Sequence, residues 1–160
     1  MTYFKDLTDY TYCRHALSDA RNVGWLESGK PFHTGTPDAA FLAKLWEFCK
    51  VSVAQSRGWH ECSFCKSEDA IIFAERNGEH LRLGTAEIRV FSADERTTYA
   101  APTLIYHYVE VHQYEPPIEF KRAVLESYSP NDRRYFEALA KCGLEWEWTS
   151  KTPLLLRRPE

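Results

Sequence analysis

Segments of helical and of strand periodicity follow one another along this chain, and their order predicts the fold class. Phe41, Leu42, Leu45, Trp46, Cys49 and Val53 recur at the three- and four-residue spacing of one helix face. Thr36-Pro37-Asp38 predicts the start of that helix, with Thr36 as N-cap, Pro37 in the first position and Asp38 at the positive end. Gly58 predicts its stop. A β region comes next. Ala70 to Ala74 is a short apolar run, Asn77-Gly78 is a hairpin turn, and His80 to Leu83 and Ala86 to Phe91 read as strands. The last of these alternates in character, and Gly84 predicts a bulge or bend before it. Pro102 then predicts a helix to about Tyr114. It is apolar on most sides, with Glu110 its only charged residue, so it belongs in the centre of the molecule. Pro116-Pro117 opens another helix with Phe120, Val124 and Leu125 inward, and Ser129-Pro130-Asn131-Asp132 a further one with Phe136, Leu139 and Ala140 inward. Gly143 fits its stop, and Leu144 to Trp148 alternates as a half-buried strand. Leu154-Leu155-Leu156, after Pro153, suits a terminal edge strand or arm.

Runs of strands followed by runs of helices predict an α+β fold. The expected organisation is one domain over residues 1–160. It comprises an aromatic arm (1–35), a zinc-finger-like core (58–125) and a C-terminal helix and strand (129–160). A length of 160 residues with five Trp, nine Tyr and nine Phe is enough to bury a sizeable core. Aromatic residues this dense in the first 35 positions predict that the arm packs on that core.

Net charge is −3 with acids and bases interspersed, which gives no bulk attraction to nucleic acid or to an anionic membrane. The pairs Lys121-Arg122, Arg133-Arg134 and Arg157-Arg158 read as solvated surface. No basic stretch with an apolar run follows Met1, and no apolar run approaches a membrane span, so a cytoplasmic protein is expected. An odd number of cysteines, five, suits a reduced compartment and argues against a disulfide framework.

One constellation points to specific chemistry. Cys62-Ser63-Phe64-Cys65 places two thiols on one tight turn, and His107-x4-His112 supplies two imidazoles at a metal-finger spacing. Together they predict a tetrahedral zinc site with four protein ligands, closed and structural rather than catalytic. Helical geometry raises an objection, because residues five apart stand about 140° apart around an axis with about 3.6 residues per turn. Local distortion near the end of the helix, ahead of Pro116, answers it. Two alternatives stay open. His60 competes as a ligand and would release a helix histidine, and all four residues could instead be core packing. Cys13, Cys142, His15, His33 and His80 have no partner at ligand spacing, and Cys49 lies on a helix stripe as a small core residue. A thioredoxin-like redox reading of the CxxC lacks the strand before it and the helix starting at it that such a site needs. His60-Glu61-Cys62 departs from the zinc-deaminase pattern, which separates H-x-E from P-C-x-x-C. Asp6, Asp9 and Glu27 in the arm read as solvated loop acids.

Longer stretches carry a resemblance. Trp59-His60-Glu61-Cys62-x-x-Cys65, Leu83-Gly84-x-Ala86-Glu87-Ile88-Arg89-Val90, and Tyr99-Ala100-Ala101-Pro102 through His107, His112 and Pro116-Pro117 to Val124 form one set. Asn22-Val23-Gly24-Trp25-Leu26 and Pro31-Phe32-x-Thr34-Gly35 form another. Over residues 1 to about 125 these resemble a family of small uncharacterised bacterial proteins. The resemblance implies a bacterial cytosolic protein and draws attention to Cys62, Cys65, His107 and His112, without implying an activity.

Three functions compete at this level. The favoured one is a non-enzymatic interaction protein, its partner another protein. A zinc-dependent hydrolase would need an open metal position, with Glu61 or Glu110 as base. A nucleic-acid-binding finger would use Arg82, Arg89, Lys121 and Arg122 on phosphates, in a chain far less basic than such fingers.

Overall fold

The structure is a computed structural model that describes residues 2–12, 19–54, 59–65 and 71–144. It is an α+β fold in the order β1 (Ala20–Asn22), α1 (Ala39–Lys50), β2 (Ile72–Arg76), β3 (Glu79–Leu83), β4 (Glu87–Phe91), β5 (Thr98–Pro102), α2 (Ile105–His112), α3 (Ile118–Glu126) and α4 (Arg133–Lys141). β1, β5 and β4 form one sheet in that order, and β2 and β3 form a separate hairpin. The expected Gly58 stop, the strand beyond Leu144 and the terminal leucines lie outside the described residues.

The aromatic arm does pack on the core. It contributes β1, which runs parallel to β5 with Asn22 opposite Ala100. Trp25 follows, buried, with its indole N–H on the Ala100 carbonyl at 3.1 Å. The Asn77-Gly78 turn also forms as read. Both residues have positive φ, 51° and 77°, which a tight hairpin turn between right-twisted strands requires.

Several local signals are overridden. Asp38, not Thr36, caps α1: its backbone is extended and its carboxylate accepts the Phe41 N–H at 2.7 Å. α1 ends at Lys50, so Val53 is not on its face. Val53 instead exchanges backbone hydrogen bonds with Glu87, at 2.6 and 2.8 Å. Pro102 closes β5 opposite Glu87 rather than opening a helix, and α2 begins three residues later. Leu125 is exposed on α3, where Ala123 is buried beside Phe120 and Val124. On α4 the buried positions are Tyr135, Ala138 and Leu139, and Ala140 faces solvent.

β4 departs most from expectation. Its sequence alternates, yet all five residues are buried: α1 and α3 pack against it, and Tyr10 of the arm covers Glu87 and Arg89. Arg89 is therefore 0 % exposed and Glu87 4 %, joined at 2.7 Å. The Tyr10 hydroxyl donates to both Glu87 oxygens at 2.8 and 2.7 Å, and the Arg89 guanidinium lies 4.7 Å from the Tyr10 ring centre. Arg89 cannot serve as a phosphate contact.

Candidate metal centre

The segment leading into the CxxC is fixed first. The His60 N–H donates to the Gly84 carbonyl at 2.7 Å, and Gly84, at φ +86°, has its N–H on Thr103 Oγ1 at 2.9 Å. A Cβ on Gly84 would stand 2.5 Å from the His60 carbonyl oxygen. Gly84→Ala is therefore expected to cost more than about 1 kcal/mol, through both the positive φ and the contact. Chemical denaturation measures it, and an unchanged midpoint would contradict this account.

Cys62 to Cys65 then forms a tight turn. The backbone N–H groups of Phe64 and Cys65 point at the Cys62 sulfur. The arm holds the turn from outside, with the Ser28 N–H donating to Ser63 Oγ at 2.8 Å and the Phe32 ring 5.3 Å from that of Phe64. Phe64 also packs on Tyr108 and His112, with ring centres 5.8 and 5.2 Å apart.

α2 supplies the other two groups, and its end resolves the helical objection. The Gln113 N–H donates to the Tyr108 carbonyl, five residues back instead of four, and Gln113 is left-handed at φ 54°. The Tyr114 N–H reaches the same oxygen at 3.0 Å. This widened last turn swings His112 back above His107. The strand-like exit is secured by the Gly35 N–H on the Gln113 carbonyl and the Glu115 N–H on the His33 carbonyl.

Four donor atoms converge as a result. Cys62 Sγ lies 3.2 Å from His112 Nε2, Cys65 Sγ lies 3.3 Å from both His107 Nε2 and His112 Nε2, and the two Nε2 atoms are 3.2 Å apart. All lie within 4.8 Å of one another. A tetrahedral zinc with sulfur at about 2.3 Å and nitrogen at about 2.05 Å holds S and N about 3.6 Å apart and N and N about 3.3 Å apart. Of the six edges of that polyhedron, the four just given agree with it to a few tenths of an ångström. The residues are compatible with a metal site, and two thiols with two imidazoles in a tetrahedral array form a donor set that suits zinc.

Burial shifts the protonation of Cys62, His107 and His112. It pushes the Cys62 thiol up, against the pull of the Phe64 and Cys65 N–H groups. Burial pulls His112 down, and burial followed by the nearby His112 charge pulls His107 to about 4. Neutral imidazoles are ready ligands, whereas the thiols must lose protons to bind metal. Zinc affinity should therefore rise with pH, about tenfold per unit for each proton displaced, hence about a hundredfold per unit for two thiols near neutrality. Chelator competition at several pH values measures the slope, and a flat profile would contradict thiolate ligation. In the metal-free protein His107 works in the same direction. Its folded value lies below its unfolded one, so that stability is whole above about 6.5 and is lost as pH falls towards 4.

His60 is placed elsewhere, with Nε2 3.2 Å from the Tyr12 hydroxyl. His33 and His80 are exposed, the latter beside Glu75 at 3.9 Å, and Cys142 caps α4. Cys49 is buried with its thiol towards the Thr103 carbonyl. Cys13 and His15 lie outside the described residues. Asp6 is no solvated loop acid: it accepts the Gly24 N–H at 2.9 Å and the Tyr114 hydroxyl at 2.8 Å, tying the arm to the residue that ends the α2 turn. No sequence pattern announces that role. Glu110 accepts the Tyr106 hydroxyl at 3.1 Å. No described helix is long and apolar enough to cross a membrane.

Neither the curated proteins nor the solved structures contain a significant match to this chain. The model of one family, described as a domain of unknown function (DUF7919), matches residues 2–125, most of the sequence and all four converging ligand positions, and the chain belongs to that family.

Proposed function

We propose that this is a cytoplasmic, non-enzymatic interaction protein whose fold is stapled by one zinc ion held by Cys62, Cys65, His107 and His112. The observation that carries the reading is the convergence of the four donor atoms within 4.8 Å, four of their six separations being near those of a tetrahedral site. Four protein ligands leave no position for a water or substrate, which disfavours hydrolysis. The hydrolase would also need His60 in the shell, and its ring faces Tyr12.

The exposed side chains of the β2–β3 hairpin support a protein partner. Phe73 and Arg82 are directly paired across its outer face, and the Arg82 guanidinium lies 6.0 Å from the Trp59 ring centre. Phe73 is 65 % exposed and Trp59 48 %. Trp, Phe and Arg are the residue types enriched where proteins bind one another. The net charge of −3 disfavours a polyanionic nucleic acid.

The test is affinity capture from the source cells with the parent and with a Trp59→Ser, Phe73→Ser variant that keeps its metal and melting temperature. A specific protein held by the parent and lost from the variant supports the reading. Identical capture by both, or salt-dependent binding of oligonucleotides in its place, contradicts it.

A further inference from the structure

We infer that the Cys62–Cys65 turn is a reversible oxidation switch, in which hydrogen peroxide joins the two cysteines as a disulfide and zinc is released. The inference rests on the zinc reading above. Both thiols sit on one short turn with their sulfurs in a cluster under 4.8 Å across, so that a disulfide closes locally and leaves α2 where it is. The two are unequally accessible. Cys65 is half-buried, and Cys62 is only 6 % exposed. Peroxide therefore meets Cys65 first, and Cys62 is the resolving thiol.

The step balances without a further reagent. The Cys65 thiolate attacks one peroxide oxygen, the O–O bond breaks, hydroxide leaves, and Cys65 becomes a sulfenic acid. The Cys62 thiolate then attacks that sulfur, the S–S bond forms, the S–O bond breaks and a second hydroxide leaves. Two protons from solvent turn the hydroxides into water. The sulfur pair loses two electrons and peroxide gains them, while zinc stays divalent.

Among the described residues the competing thiols are badly placed. Cys49 is enclosed in the core against the Thr103 carbonyl, and Cys142 lies at the end of α4. Once the thiolates are gone, His107 and His112 supply only two ligands from a different element, too few to retain the ion. The same turn anchors the arm through Ser63 and Phe64, so oxidation also loosens the contacts to Ser28 and Phe32.

The experiment uses the full chain loaded with one equivalent of zinc and treated with hydrogen peroxide in steps. A chromogenic chelator reads released zinc, and peptide mass mapping reads the disulfide. The expected result is one zinc released per Cys62–Cys65 disulfide, with rebinding after dithiothreitol and fresh zinc. Cys49→Ala and Cys142→Ser variants should release zinc over the same peroxide range. Zinc retained at peroxide levels that fully oxidise a small dithiol overturns the switch and leaves the zinc staple standing. Release with sulfinic acid or with a different disulfide also overturns it. A chain that takes up no zinc before peroxide is added overturns the staple itself.

Discussion

Cys62→Ser is expected to abolish stoichiometric metal binding and to lower the melting temperature by roughly 10–20 °C. The chain of cause is short. Serine offers no thiolate, the shell falls to three groups on two elements, and the binding free energy that favours the folded state is withdrawn. Loss of a structural metal belongs among the few single-residue effects beyond about 4 kcal/mol, and in a domain of this size each kcal/mol moves the midpoint by about 2–4 °C. The damage should spread from the turn to the arm, because Ser63 and Phe64 carry the contacts to Ser28 and Phe32. Calorimetry on metal-loaded parent and variant checks this. Melting within about 2 °C of each other would mean the four residues are packing groups only.

Glu87→Ala is expected to cost about 3–5 kcal/mol, since it strands a buried guanidinium. Arg89 would keep one bond to the Ile88 carbonyl at 3.1 Å and the face of Tyr10. Its Nε and Nη2 already have no hydrogen-bond partner among the described residues. The Tyr10 hydroxyl would lose its acceptor as well, loosening the arm. The double variant Glu87→Leu, Arg89→Met removes charge and countercharge together and should be less destabilised than the single one. Urea unfolding of the three proteins decides the matter. A double variant as unstable as Glu87→Ala would show that packing around β4, not the stranded charge, sets the cost.

The parts of the fold that local chemistry controls were legible in the sequence. Asn77-Gly78 turns because both residues tolerate positive φ, and Pro116-Pro117 separates α2 from α3 as read. The ligand spacing was also informative, and the widened turn at Gln113 supplies the distortion that its helical geometry demanded. Two of the boundary errors share one cause. Glu87 has Val53 on one side of its backbone and Pro102 on the other, and these long-range pairings end α1 early and delay α2. No local propensity signals them. The Glu87–Arg89 pair was illegible for a related reason. Two opposite charges at alternate positions look like the solvent face of a strand, and only packing from distant parts of the chain, Tyr10 of the arm included, turns that face into an interior.

The most direct test of the account is the metal content of the tag-free protein by elemental mass spectrometry, alongside Cys62→Ser and His112→Ala. The account predicts one zinc per chain in the parent and its loss from both variants. A parent free of zinc would contradict the staple outright, and zinc retained by His112→Ala would contradict the four-ligand shell by making His60 or a water the fourth ligand.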